Sequence, residues 1–398
     1  MSFLARSLRV ATFASVALIS ACGGGGGGGG GGGVPVTDAG FFKAALTDAA
    51  ACGYNQINVT PVKVRVNASA TAADGDPGWW EIAVLAKKID LLSLTNGAVL
   101  ELGQVQVPVG TYRQLSLVLD TTTPLANSVV PVVGAETPLG MPAALQGNLK
   151  IPVNIAVVKD QTSDYVIDFD ACNSVLRLGN SGNYDLSARL SVVQRLSPPG
   201  QQQVTGFVDK SLNLAATRVS LQSSGTVVRS TSPDSNGHFI LYPVPPGIYD
   251  LVISALGAVP AVVTGVTVSS TASTDVNTAG TPINPPSSPS NTISGTVATP
   301  GTTPIDARVA IVKKYTGGPN VTIAGAPADG TTGGLLYTVP TAAPVRAPYV
   351  AGITPLVFSP DNATPTGRYT VTVIAKGTLQ TTDVDATANN PIVAFTFP

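Results

Sequence analysis

Pro108-Val109-Gly110-Thr111-Tyr112 leads into Leu115, Leu117 and Leu119; Pro245-Pro246-Gly247-Ile248-Tyr249 leads into Leu251 and Ile253; Pro365-Thr366-Gly367-Arg368-Tyr369 leads into Val371 and Val373. In each case Pro fixes φ and Gly permits φ > 0, so Pro-x-Gly makes a tight turn. The Tyr two residues later starts a strand with its ring on one face. Three such turns, each feeding an alternating apolar run, predict three sandwich-type domains.

The runs around these turns read the same way. Ile151, Val153, Ile155 and Val157 alternate with Pro152, Asn154 and Ala156, and Tyr165, Ile167 and Phe169 alternate with Asp164, Asp168 and Asp170. Tyr184, Leu186, Ala188, Leu190 and Val192 keep the period of two. Alternation of this kind means one buried and one wet face, the mark of antiparallel sheets. Helix is expected only at Ala39–Ala51 and as a short turn near Leu91–Leu94. The expected class is all-β: tandem antiparallel β-sandwich domains behind a signal peptide and a Gly-rich tether.

Composition supports this class. Apolar residues make up 44% of the 398 residues, enough for packed cores, whereas charged residues are only 11%, against about 25% in an ordinary soluble domain. The formal net charge is −1. No basic stripe is present to neutralise phosphates, which argues against nucleic acid as a partner.

The amino terminus carries Arg6 and Arg9, then an apolar and small-residue run over 10–20. That run is too short to span a bilayer, which takes about 20 residues, and it fits a signal-peptide core. Its end, Leu18-Ile19-Ser20-Ala21-Cys22, resembles the bacterial lipobox. The resemblance implies cleavage after residue 21 and a lipid on the Cys22 thiol, making the membrane a partner. Eleven glycines follow, Gly23 to Gly33; a Gly chain of that length is a coil of about 17–20 Å end to end, a leash between lipid and protein. Gly rather than Asp follows Cys22, which favours the outer membrane and a periplasmic or surface-facing position.

Two Pro-rich stretches, Ser197-Pro198-Pro199-Gly200-Gln201-Gln202-Gln203 and 280–291, read as extended, semi-rigid linkers. The expected organisation is signal peptide 1–21, lipidated Cys with tether and lead-in 22–52, and β domains at 53–196, 204–279 and 292–398.

Residues 204–279 resemble the carboxypeptidase regulatory-like family, a transthyretin-type sandwich grouped with carbohydrate-binding-like folds. The residues that carry this are Val204-Thr205-Gly206-Phe207-Val208, the hairpin Asp234-Ser235-Asn236-Gly237-His238-Phe239, and the run from Val244 through Tyr249 to Leu251. The resemblance implies a spacer or binding unit rather than a catalyst. Residues 292–398 look like a diverged second copy that opens Ile293-Ser294-Gly295-Thr296-Val297, lacks the Asn-Gly hairpin, and carries a Gly/Pro-rich insertion over 316–361. Residues 53–196 resemble the family of bacterial lipoprotein domains of unknown function 4382. The matching stretches are Lys88 to Gly97, Pro108 to Leu115, Leu149-Lys150-Ile151-Pro152 and Asp168-Phe169-Asp170-Ala171. This implies a secreted β domain and no particular activity.

Residue chemistry argues against an enzyme. His238 is the only histidine; alone it cannot build a His-rich zinc site, no Gly-x-Ser-x-Gly elbow accompanies it, and its parity opposite Phe239 and Leu241 points it to solvent. Asp160, Asp164, Asp168 and Asp170 share one strand parity. Carboxylates at Asp164, Asp168 and Asp170 could offer Ca²⁺ its oxygen ligands, but no Asp-x-Asp-x-Asp-Gly loop is present, and a solvated face is the favoured reading. Of Trp79 and Trp80, one belongs to the core; the other is an edge-packing ring or a sugar-stacking platform. Asn58-Val59-Thr60 and Asn67-Ala68-Ser69 match the glycosylation sequon by chance. Cys52 and Cys172 stand before and after predicted strands. In an oxidising compartment two such thiols usually pair; two separately buried thiols are the other reading. No cofactor or metal is implied. The functional expectation is an anchored, non-catalytic scaffold or binding surface of the cell envelope, partnering a glycan or another envelope protein. Its alternative is glycan binding through sandwich loops, with 316–361 as the binding insertion.

Overall fold

A computed structural model describes residues 38–49, 52–142, 145, 147–196, 201–363 and 366–398. The expected signal peptide 1–21, Cys22, the glycine run 23–33 and residues 197–200 of the first linker lie outside the described residues.

Of the described residues 53% are strand and 3% helix, distributed over three hydrophobic cores. The first body holds β1 (Ala39–Asp48), β2 (Tyr54–Val59), β3 (Pro61–Asn67), β4 (Trp80–Ala83), β5 (Ile89–Asp90), β6 (Leu100–Pro108), β7 (Gly110–Leu119), β8 (Ser128–Pro131), β9 (Thr137–Gly140), β10 (Asn148–Val157), β11 (Thr162–Phe169), β12 (Val175–Arg177), β13 (Tyr184–Leu186) and β14 (Leu190–Gln194). They form sheets of order β14-β11-β1-β6, β10-β7-β3-β4 and β12-β13-β9-β8-β2-β5.

Two expectations change here. The stretch expected as a helix is strand over its first ten residues, which form β1, in the interior of a sheet between β11 and β6. Ala, Leu and Lys in this stretch favour helix by intrinsic propensity, but neighbours on both sides and burial of nearly every residue override it. The first body therefore begins within the 22–52 segment assigned to tether and lead-in. Most strand pairs are antiparallel as expected, but some sheets are mixed. β1 and β11 run parallel from Phe41↔Thr162 to Asp48↔Phe169, because alternation reports which face is buried and not the direction of the partner.

The second body comprises β15 (Val204–Phe207), β16 (Arg218–Ser223), β17 (Thr226–Thr231), β18 (His238–Leu241), β19 (Gly247–Ser254), β20 (Ala261–Val268) and β21 (Thr274–Asp275). The third comprises β22 (Ser290–Ala298), β23 (Ala307–Lys314), β24 (Asn320–Pro327), β25 (Gly334–Pro340), β26 (Val345–Pro348), β27 (Ser359–Pro360), β28 (Arg368–Ala375), β29 (Thr378–Asp385) and β30 (Ile392–Thr396). Their topologies coincide. A three-stranded sheet β18-β15-β21 faces β17-β16-β19-β20 in one, and β25-β22-β30 faces β24-β23-β28-β29 in the other.

The hairpin turn is also shared, despite the missing Asn-Gly. Gly237 (φ 78°) and Gly333 (φ 66°) hold the same place. Each carbonyl accepts the N–H of a valine in the first strand segment, Val208 and Val297, at 2.8 Å. The expected insertion 316–361 is therefore mostly core: β24 and β25 lie inside it. The extra chain is only 341–367, between β25 and β28. It does not dangle, since β26 pairs in parallel with β20 of the second body, from Ala261↔Val345 to Thr264↔Pro348.

The second linker is likewise no free spacer. Ile283 is buried, its N–H donates to the Phe207 carbonyl and its carbonyl accepts from Asp209, both at 2.9 Å. Residues Asp38–Pro398 form one unit, not three independent ones.

The Gly333 position gives a direct test. An added Cβ there would lie 1.9 Å from the Val297 carbonyl oxygen, in a left-handed backbone. Gly333→Ala is expected to cost at least about 1–3 kcal/mol, read as a lower denaturant midpoint. Gly53→Ala, which meets nothing within 4 Å, should stay within about 0.5 kcal/mol of wild type. Equal midpoints for the two variants would contradict the shared-turn assignment.

Candidate functional site at the junction of three bodies

Strands β11 and β17 bring the first two bodies together through one ion pair. Arg229 Nη1 lies 2.6 Å from Asp168 Oδ2, with both side chains almost fully buried, and Arg229 Nε and Nη2 donate to the Pro243 carbonyl at 3.1 and 3.0 Å. This corrects the solvated-face reading of the aspartates. The expected wet face of β11 is covered by the second body, and residues 165–169 are buried without a break. Asp164 pairs with Arg195 at 2.8 Å and Lys43 at 3.5 Å. Asp170 caps the short helix α1 (Ala171–Ser174), accepting from Asn173 N at 3.2 Å. Asp160 sits in a turn with φ 56°. These carboxylates are thus not gathered around a common point for Ca²⁺, and no metal-holding cluster of His, Cys, Asp and Glu occurs among the described residues.

A second contact involves Asn96, in the turn after the 3-10 segment Leu91–Leu94. Its Oδ1 accepts from Ile240 N at 2.6 Å and its Nδ2 donates to the His238 carbonyl at 3.3 Å. The amide thereby occupies the open edge of β18. His238 is accordingly half-buried rather than solvent-facing. Its Nε2 is 2.8 Å from Thr205 Oγ1, and its ring lies 4.7 Å from that of Phe207.

Bodies two and three are joined by Gln222, whose Nε2 donates to the Thr322 carbonyl at 2.7 Å while its Oε1 accepts from Thr322 N at 2.8 Å. Bodies one and three meet where Arg189 pairs with Asp306 at 2.6 Å and where both Asp329 oxygens accept from Gly179 N at 3.1 and 3.0 Å. The contacts close a ring: one to two, two to three, three to one.

At its centre is an open cleft of about 780 Å³ lined from all three bodies. Its charged wall carries Arg189, Arg218, Arg229, Arg308 and Lys314 against Asp168 and Asp170. None of the five cations stood out in the sequence, because they are scattered over 189–314 and converge only through the packing of the bodies.

The remaining sequence candidates are structural. Cys52 and Cys172 form a disulfide, S–S 2.07 Å, tying the start of β2 to α1. Cys22 lies outside the described residues. Trp80 packs on the first core. Trp79 donates its indole N–H to the Ala73 carbonyl at 2.9 Å and has Arg65 over its ring at 4.5 Å, so one ring face is taken. Asn58 and Asn67 are both buried and hydrogen-bonded, unavailable to a sequon-reading enzyme in the folded chain.

Residues 39–188 match the domain of unknown function (DUF4382). Residues 203–280 match the carboxypeptidase regulatory-like domain. The two follow one another in that order, and the first match starts at β1. No curated protein matches the chain. Similar solved structures include a type II cohesin–X-dockerin complex from Acetivibrio cellulolyticus, with 22% identity over 21% of this chain and 56% of that one, TM-score 0.18. The Bacillus anthracis TIE protein shows 11% identity over 90% and 57%, TM-score 0.17. The major pilin subunit of Bacillus cereus shows 11% over 90% and 98%, TM-score 0.15. The chain thus spans little more than half the length of the first two.

Two outcomes follow. The disulfide closes 120 positions of chain, so replacing both cysteines by Ala should lower stability by about 4–5 kcal/mol on chain entropy, and wild type with reductant should match the variant. An unchanged denaturant midpoint would contradict it. The other concerns Asp48, buried at the end of β1, whose Oδ1 accepts from Ala171 N at 2.9 Å. Burial pushes its carboxyl well above the usual carboxylate range, and the charges of Asp168 and Asp170 push the same way. A carboxyl raised on folding binds more protons in the folded state, so its cost to stability is largest at neutral pH and fades as pH falls toward the unfolded value. Asp48→Asn, which keeps the acceptor for Ala171, should be more stable than wild type at pH 7, with the gap closing toward pH 4. Urea midpoints at pH 7 and pH 4 measure this, and a variant weaker than wild type at pH 7 would exclude it.

Proposed function

We propose that this chain is a membrane-anchored, non-catalytic lipoprotein of the cell envelope, in which three interlocked β bodies serve as a scaffold or binding surface. The observation that carries the reading is the structural commitment of the histidine, the aspartates of β11 and Trp79, all of which the sequence singled out. The single histidine is held by Thr205 and Phe207, Asp164 and Asp168 are paired with cations, and Arg65 covers a Trp79 face. The anchor rests on the lipobox-like Leu18-Ile19-Ser20-Ala21-Cys22 after a short apolar run, and the outer membrane is favoured by Gly23.

Cys22→Ser tests the anchor. Lipidation at the thiol precedes cleavage, so the variant should accumulate as an uncleaved precursor, lose labelling by a fatty-acid probe and shift out of the fully lipidated membrane fraction. Undiminished labelling would refute the assignment.

A further inference from the structure

The central cleft holds more positive charge than its own structure uses. Arg229 is neutralised by Asp168, Arg189 by Asp306 and Lys314 by Asp383. Arg218 and Arg308 make no ion pair among the described residues. The fourth acid nearby, Asp170, accepts from Asn173 as the cap of α1. Arg218 gives one hydrogen bond, from Nη2 to Ser230 Oγ at 3.1 Å, and its buried Nε has no partner. Partial burial, and then the charge of Arg189, push the Arg308 guanidinium down against the opposing charges of Asp306 and Asp170. Like charges held near one another in a partly desolvated cleft favour an anion between them.

The rest of the wall narrows the class of anion. Thr226, Thr372 and Thr381 line it with hydroxyls, and Val309, Ile374 and Leu379 add short apolar faces. Hydroxyls and small aliphatic patches suit a molecule with many hydroxyls of its own and exposed C–H faces. The volume is that of a small-molecule site. We infer that the cleft binds an acidic saccharide, a short uronate-type sugar whose carboxylate is received by Arg218 and Arg308. This rests on the binding-surface reading above and gives it a ligand class. The site is the interbody cleft and not the sandwich-end loops.

The test is calorimetric titration of the full chain with digalacturonate, with neutral digalactose, and with inorganic phosphate. Digalacturonate should bind at least tenfold more tightly than either control, and Arg308→Gln and Arg218→Gln should each weaken it at least tenfold. Arg308 is exposed and unpaired, so its variant should keep the wild-type unfolding midpoint. Equal binding of digalactose, equal binding of phosphate, indifference of both Arg variants, or no binding of digalacturonate to the folded chain would each overturn the inference. Those failures leave the anchored scaffold standing if Cys22 labelling holds. Cleavage of digalacturonate by the chain would instead sink the non-catalytic reading itself.

Discussion

A β-sheet ends in a row of backbone N–H and C=O groups, which either find partners or invite another chain. In this protein three of those edges are closed by a neighbouring body. The Asn96 amide spans His238 and Ile240 on β18. The Gln222 amide does the same for Thr322 on β24. Strand β26 from the third body pairs along β20 of the second. A carboxamide carries a donor and an acceptor about as far apart as those of a peptide, so a single Asn or Gln can imitate one residue of a missing strand. These contacts make one unit of three sandwiches that the Pro-rich linkers alone would leave as a string.

The buried charges act in the same sense but with a different balance. Taking Arg229 and Asp168 out of water costs several kcal/mol per ion, and their attraction offsets this only with good geometry and further hydrogen bonds. Arg229 meets that condition in part, with Nε and Nη2 on the Pro243 carbonyl, while Asp168 Oδ1 stays buried without a hydrogen bond. Such a pair adds little net stability, yet a misplaced second body would leave both charges uncompensated, which is strongly unfavourable. The pair therefore specifies how the bodies dock more than how strongly, while the shared apolar contacts supply the strength. Val252 and Val262 of the second body belong to the third core, and Val345 of the third belongs to the second.

Much of the fold was legible from periodicity and turn chemistry. The Gly-x-Tyr runs lead into β7, β19 and β28 as read, although Gly110 and Gly247 already belong to their strands and Gly247 does not use positive φ as Gly367 (φ 69°) does. Two of the three tyrosines, Tyr112 and Tyr249, bond the carbonyl four residues upstream, at Pro108 and Pro245. Tyr369 reaches Pro340 instead, since a longer connection precedes its strand. What stayed hidden was hidden for one reason. β1 lacks alternation because it is covered on both faces; the aspartates of β11 look wet because the body that covers them lies some sixty residues onward; β24 and β25 look like loop because Gly and Pro dilute their apolar residues. Local pattern reports a residue's own strand, and it is silent about a face supplied from elsewhere in the chain. The cleft is the extreme case, having no local pattern at all.

The cleft also follows from the ring of contacts. Convex sandwiches joined pairwise at their rims cannot fill the space where all three meet, so closing the ring leaves a concavity by geometry. Its lining is then drawn from strand edges and loop ends, where the chain keeps its charged and hydroxyl side chains. That accounts for guanidinium groups collecting at a junction in a protein so poor in charge. It also ties the cleft to the locks around it. Asp168, Arg229 and Arg189 belong to both, holding bodies together by ion pairs while the neighbouring Arg218 and Arg308 make no ion pair among the described residues. Loosening one contact of the ring would move a wall of the cleft, so the positioning of these two cations depends on edge closures made at Asn96 and Gln222, outside the charged wall itself.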